Sequence, residues 1–414
     1  MPKGSEPARE LPDADARRAI REDLGTTILV EAAAGTGKTT SLVDRMVALV
    51  STGRTTVDRL SAVTFTIRAA AQLRQRFQIA LEQAHAGERN RGRRDLLAAG
   101  LARLDSCFLG TIHAFSARLL RERPVEAGVD PGYREMDDPE DGAARGEAWE
   151  SYVTALFARD DPRLARLMPL GVPLRDLFDT YGALCENSDI EAAIGAELPE
   201  PDFGKARSRV EAFLEESREA VPPEAPEGGW TGFQEALRQA RRRLELLGPE
   251  SPAGFARILE SFLGEQAEKK AGPWKGRLAR FREETVEPAL RAWREYLHPI
   301  ILPLLAGARD AYGQWRRERG LANFQDLLLI ARNLLRDHPQ VREALRARFT
   351  PILVDEFQDT DPIQAEILFY LTGAETDERD WRKLTPVPGA LFVVGDPKQS
   401  IYRFRRADIE TYDI

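Results

Sequence analysis

The stretch AAAGTGKT at residues 32–39, read together with ILVDEFQDT at residues 352–360, decides the fold. In the first, glycine lets backbone N–H groups turn inward around phosphate oxygens, Lys38 offers an ammonium to the β and γ oxygens, and Thr39 offers a hydroxyl to a magnesium ion. A loop of this composition also arises by chance, so its context matters. It follows the apolar run 27–30 and opens the helix-periodic segment 41–50, an order that sets phosphates on a helix N-terminus. Ala32, Ala33, Ala34, Gly35, Thr36, Gly37, Lys38 and Thr39 are therefore the predicted nucleotide cradle. The second stretch ends a buried strand, 352–354, with Asp355 and Glu356 at the carboxyl edge where open parallel sheets hold their ligands. Asp355 reads as a metal ligand with Thr39, and Glu356 as the base that orients an attacking water. The pair implies ATP and Mg2+ as cofactors.

Outward from these motifs, residues 28–136 alternate short apolar strands (28–30, 60–65, 108–111) with helices (38–50, 67–84, 95–104, 113–122), a βαβ succession. The segment GERNRGRR, 87–94, reads as an exposed turn. Strand signal then fades. Amphipathic stretches with a 3.6-residue period occupy 142–158, 205–219, 231–247, 252–268 and 275–319, separated by Pro/Glu-rich loops. From 341 the α/β pattern resumes, with a helix near 362–371 and a strand at 390–394. The expected architecture is an α/β parallel sheet, residues 1–136 and 341–414, split by a large all-α subdomain, 137–340.

Composition bounds the rest. A chain of 414 residues divides into two or three compact units. The net charge of −8 argues against a basic nucleic-acid coat, although a channel on an acidic protein is often locally positive. Only eight of the 59 basic residues are Lys; arginine suits phosphates and base planes, while coding bias explains the same excess more simply. Cys107 and Cys185 are too few for a disulfide framework or a cysteine-ligated metal, so a reduced, cytoplasmic setting is expected. The polar N-terminus carries no secretory signal. The longest apolar run, 300–306, is broken by Pro299 and Pro303 and is far short of the roughly 20 residues a bilayer requires, so no membrane partner is expected.

Three further strand ends converge in composition. Thr64, Phe65 and Thr66 precede a helix and suit phosphate contacts, although for these residues taken alone a helix cap over a core phenylalanine is the simpler reading. His113 and Phe115 form a second polar and aromatic loop, in which a satisfied buried histidine is the competing reading. GDPKQSIYRFRRAD, 395–408, follows an apolar strand. There Gln399 is placed to sense a γ-phosphate, and Tyr402 and Phe404, interleaved with arginines, offer stacking surfaces for bases, each stack contributing about 1–3 kcal/mol. A core-facing aromatic pair is the alternative. Arginine clusters at 241–243 and 316–319 read as solvated helix faces.

AAAGTGKTT, TFTIRAAAQLRQR, GTIHAF, ILVDEFQDTDPIQ and VVGDPKQSIYRFRRAD, in that order, resemble motifs I, Ia, Ib, II and III of the UvrD/RecB-like superfamily 1 DNA helicases, with the RecB/AddA style closest. The resemblance covers roughly 13–136 and 320–414. It implies a RecA-like P-loop NTPase that steps 3′ to 5′ on single-stranded DNA and works with a second RecA-like domain, in cis or in trans. Lys38, Thr39, Asp355 and Glu356 keep the roles given above. Gln399 then couples the γ-phosphate to DNA, and Thr64, Phe65, Thr66, His113, Phe115, Tyr402 and Phe404 line the strand. The inserted helices meet incoming duplex, and a nuclease subunit or domain is a further expected partner.

The chain departs from the family pattern at Ala16, where an adenine-reading Gln is expected, and at Gln72, where an acidic residue is usual. It ends at Ile414, past motif III, so motifs IV to VI have no counterpart in it. Transition-state arginines from a second domain contribute on the order of 10³–10⁵ in rate. The 414-residue chain is therefore expected to bind Mg-ATP, hydrolyse it slowly and not unwind DNA. The alternative function is a non-motor ATP-gated DNA- or protein-binding module completed by a partner chain; a P-loop kinase is a weaker third, with no use for GDPKQSIYRFRR.

Overall fold

The computed structural model describes residues 13–33, 35–189, 193–247, 251–263 and 271–399. The chain forms two compact units, one from Met1–Asp137 with Gly320–Ile414 and one from Asp138–Arg319.

In the first unit, strands β1 (Ile28–Glu31), β2 (Ser61–Thr64), β3 (Phe108–Thr111), β6 (Ile352–Val354) and β7 (Leu391–Gly395) form one sheet in the order β1-β7-β6-β2-β3. All four pairings are parallel. A parallel sheet needs crossover helices on its faces, so its central strands are buried on both sides and read as unbroken apolar runs. ILV and LFVV are such runs, and every residue of β6 and β7 is buried. The pleat sorts them. Leu353, Phe392 and Val394 pack with Leu42, Met46 and Phe77, whereas Ile352, Val354, Leu391 and Val393 face a core containing Phe115, Leu327 and Leu368.

Helix α1 (Ala14–Glu22) precedes β1; α2 (Lys38–Ser51), α3 (Ile67–Gly87) and α5 (Ile112–Glu122) follow the ends of β1, β2 and β3, and α4 (Arg91–Ala102) lies between α3 and β3. The basic segment 87–94 is exposed as expected, but its second half is helical. Asn90 accepts a hydrogen bond from the Arg93 N–H and caps α4, and arginine propagates an exposed helix well.

The return from the second unit also differs from expectation. Periodicity groups helix α6 (Phe324–Asp337) with the inserted helices, yet Leu327, Leu328, Leu334 and Leu335 share the core of Leu119, Leu120 and Leu368 in the first unit. The division falls at Gly320 and not at 341, because a helical period reveals an apolar face without naming the surface that covers it. Two short strands, β4 (Arg134–Glu135) and β5 (Leu321–Ala322), tie the points where the chain leaves and re-enters. Arg134 N–H donates to Gly320 O at 2.8 Å and Met136 N–H to Ala322 O at 2.9 Å. Helices α7 (Pro339–Phe349) and α8 (Pro362–Thr372) complete this unit.

Among its described residues the second unit consists of helices and loops without a strand, around a core of Phe213, Phe255, Phe262, Phe281, Leu290 and Trp293 in which the rings of Phe213 and Phe281 stack at 4.2 Å. Its longest helix, Glu287–Glu318, contains both Pro299 and Pro303. Their four-residue spacing sets the missing N–H of Pro303 opposite the carbonyl of Pro299, so the two lost bonds fall in consecutive turns. Among the described residues no helix is long and apolar enough to cross a membrane.

Candidate phosphate site at the carboxyl edge of the sheet

The loop between β1 and α2 is shaped by two glycines in the left-handed region, Gly35 at φ 76° and Gly37 at φ 96°. A Cβ at Gly35 would meet nothing within 4 Å, so backbone conformation and not crowding requires glycine there. Gly37 caps α2, a 14-residue helix with no acidic residue in its first turn, and the first N–H groups of that helix gather at the cradle with the positive end of its dipole. Thr36 folds its hydroxyl onto Ala33 O at 2.7 Å, and Ala32 N–H donates to Gly395 O at 3.1 Å, anchoring the loop to β7. Of the predicted cradle, Ala32, Ala33, Gly35, Thr36, Gly37, Lys38 and Thr39 lie in or next to this loop; Ala34 lies outside the described residues.

Strand β6 delivers the acidic pair to the same place. Lys38 Nζ lies 2.8 Å from Glu356 Oε2, and the lysine side chain is almost fully buried. Glu356 occupies the left-handed region at φ 57°, a conformation costly for a side chain bearing a Cβ and one that clusters at functional sites. Asp355 is 8% exposed, and it accepts the Glu356 N–H at 3.2 Å. Burial pushes its carboxyl up to about 6, the Glu356 charge adds to this, and Lys38 together with a hydrogen bond to Thr39 pulls the other way. Asp359 is likewise raised to about 6 by burial and by Glu356. Its Oδ1 is buried with no hydrogen-bond partner among the described residues. Three carboxyls around one ammonium leave the site short of positive charge.

That deficit, with the hard oxygens of Thr39 and Asp355 side by side, fits a magnesium ion held mainly by phosphates and water. Among the described residues no cluster of three or more His, Cys, Asp or Glu forms a self-sufficient metal cage, and an ion that arrives with its nucleotide needs none.

Two residues at this site were missed by sequence reasoning. Arg17 of α1 donates to Thr36 O at 2.7 Å and to Asp13 at 2.9 Å, next to the unmatched Ala16. Gln358, inside DEFQD, donates to Glu356 Oε2 at 2.7 Å and accepts from the Asp396 N–H at 2.9 Å. Its place within a motif already singled out was the available signal. Gln399 is present at the same edge with its amide donating to the Asp396 carboxylate, which this bond holds below the usual carboxylate range.

The strand-lining residues divide. Thr66 is exposed, but its hydroxyl oxygen accepts the Ala69 N–H as the cap of α3. Phe65 is half-buried. Thr64 is 3% exposed and donates to Thr66 O, so its side chain belongs to the small pocket of about 20 Å3 that it lines with Asp355, Glu356, Thr360 and Gln364 and not to an open track. That volume admits one water. Phe115 must be corrected outright: it is fully buried, packed between Phe108 and Phe349, because α5 turns its apolar face inward. His113 sits at the rim, where burial lowers its pKa, and its ring meets Phe324 edge-on at 5.5 Å. Phe324 is 43% exposed, and sequence patterning alone does not mark it. Tyr402 and Phe404 lie outside the described residues. A larger cleft of about 630 Å3 is lined by residues of the helical unit, including Arg209, Phe213, Arg277 and Phe281, and by none of the site residues.

The family model described as UvrD/REP helicase N-terminal domain matches residues 13–191 and 267–413. A Moorella thermoacetica protein whose name makes it one subunit of an ATP-dependent helicase/nuclease is 30% identical, with 93% of this chain and 31% of that protein aligned. Proteins of the same name from Syntrophomonas wolfei and Enterococcus faecalis are 26% and 28% identical, over 92% and 93% of this chain. The chain spans about a third of the length of these curated relatives.

Proposed function

Since the chain belongs to the UvrD/REP helicase N-terminal domain family, we propose that it is the ATP-binding motor domain of a translocase that moves 3′ to 5′ on single-stranded DNA, as part of a recombination or repair helicase–nuclease. The observation that carries the reading is the contact of Lys38 with Glu356, which brings the phosphate loop and the acidic strand end to a single point.

In this reading the triphosphate lies on the N–H groups of α2 and recruits Lys38 from Glu356 to its β and γ oxygens. The carboxylate so released accepts a proton from the attacking water. Thr39 and Asp355 would hold Mg2+, which when bound neutralises charge on the phosphate oxygens. Gln399 senses the γ-phosphate and passes its state to the segment holding Tyr402 and Phe404. Phe65, Thr66 and the His113–Phe324 pair offer the DNA an aromatic and hydroxyl-bearing rim. A second RecA-like domain, in cis or in trans, supplies the transition-state arginines, and a nuclease subunit or domain works beside the motor in the cytoplasm.

The test measures Mg-ATP binding, ATP turnover and strand displacement by the 414-residue chain, with Lys38→Ala as control. Binding lost in the control, slow turnover and no unwinding support the reading. Brisk DNA-stimulated turnover by this chain overturns the need for arginines from elsewhere, and nucleotide binding that survives in the control overturns the site.

A further inference from the structure

Gln358 is 3% exposed and lies between two functional groups, with its amide N–H on Glu356 Oε2 at 2.7 Å and its amide carbonyl on the Asp396 N–H at 2.9 Å. We propose that Gln358 is the positioning residue for Glu356, and that it carries the position of the Asp396–Gln399 turn to that carboxylate.

The chemistry allows one orientation of the amide. A flip would press its carbonyl against a carboxylate and its N–H2 against an N–H, two repulsions in place of two bonds. The side chain is therefore a directional link, satisfied only while Glu356 Oε2 and the Asp396 N–H both keep their places. Lys38 donates to the same oxygen, Glu356 Oε2, at 2.8 Å. When phosphates recruit Lys38, the bond from Gln358 is the one that does not leave with it. Glu356 also sits on backbone at φ 57°, so its neighbours must determine where its carboxylate points.

On the other side, Asp396 is the first residue of a turn in which its carboxylate accepts the Lys398 N–H at 3.1 Å and the Gln399 amide. A shift of that turn moves the Asp396 N–H, and the buried amide converts this into a shift of the base. A displacement of about 1 Å costs on the order of 10²-fold in rate, so a small movement suffices to switch the step.

The inference rests on the proposed role of Glu356, and the experiment separates the two. Single-turnover hydrolysis of Mg-ATP and the affinity for a fluorescent ATP analogue are measured in the full chain for wild type, Glu356→Gln, Gln358→Met and the double variant. Gln358→Met is expected to slow hydrolysis about 10- to 100-fold while changing affinity by less than about twofold, because the amide acts on the reacting group and not on the phosphates. The double variant is expected to be no slower than Glu356→Gln, since Gln358 acts through Glu356. Equal losses of rate and affinity, or additive losses in the double variant, overturn the inference. A slow Glu356→Gln with a normal Gln358→Met also overturns it and leaves the assignment of Glu356 standing; a normal Glu356→Gln removes that assignment. Should Gln358→Met melt below the assay temperature, Gln358→Asn carries the same measurements, and failure of both to fold shows a structural amide and overturns the inference.

Discussion

Lys38 and Glu356, 318 positions apart in sequence, are joined by a 2.8 Å ion pair at the carboxyl edge of the sheet. In the proposed function a triphosphate displaces this carboxylate from Lys38, so that nucleotide binding and release of the proposed base become one event. Replacing Lys38 by Ala removes a preorganised cation from the phosphates, and a loss of about 10²–10³ in hydrolysis rate is expected. Lys38→Arg should not restore it, because a planar fork does not replace a point charge. Single-turnover assays of both variants check this; a Lys38→Arg rate near wild type refutes it.

Gly37 caps α2 at φ 96°, where an L side chain is strained whatever the space around it. A Cβ there would meet Arg17 Nη1 at 3.5 Å, an ordinary contact, so the cost of Gly37→Ala is conformational, about 1–2 kcal/mol. Urea denaturation reads that loss. Nucleotide titration is expected to show weaker binding as well, because the strain relaxes by turning the α2 N–H groups away from the phosphates.

Phe115 and Phe324 are separated by burial alone. Phe115→Ala empties a site in the core between Phe108 and Phe349, and a destabilisation of about 3–5 kcal/mol is expected. Phe324→Ala removes a half-exposed ring and should cost little stability, while single-stranded DNA affinity falls by up to the roughly 1–3 kcal/mol of one stacked base. Chemical denaturation and fluorescence anisotropy distinguish the two. An unchanged DNA affinity in Phe324→Ala removes that ring from the interface.

His113 gives acid sensitivity of a defined sign. Burial lowers its pKa in the fold, opposed by the charge of Glu135. In the unfolded chain a histidine takes up its proton near pH 6.5, so just below that pH the unfolded state binds more protons than the native one. The stability contribution is complete above pH 6.5 and is lost as pH falls toward the native pKa. Urea midpoints at pH 7.5 and 5.5 are expected to fall further for wild type than for His113→Gln. A gap between the two proteins that does not change with pH refutes this.

The local grammar of the chain was legible because it is written in neighbouring residues. Glycines at 35 and 37 before Lys38, the apolar runs of β6 and β7, and the Asp355–Glu356 step beyond a strand each require only a few adjacent positions to be recognised. The parallel sheet and the division by a helical unit followed from the order of those signals. What a side chain packs against depends on a second surface that neighbouring residues do not specify. Phe115 looked like a rim residue by its place after a strand end, and only the packing of α5 against Phe349 shows it to be core. The leucines of α6 announced an apolar face, and only tertiary structure decides that the face covers α5 and α8.

Residue types and their spacing by themselves determined that this chain carries a glycine-rich loop ending in Lys38 and Thr39, and an acidic strand end, on an α/β scaffold. Which groups touch was decided by the fold. The contact of Gln358 with Asp396 exists because β6 and β7 are neighbours in the sheet, and that of Arg17 with Thr36 because α1 packs against α2. Hydrogen bonds act over about 3 Å, and no local pattern encodes a distance between residues that meet only after the sheet has closed.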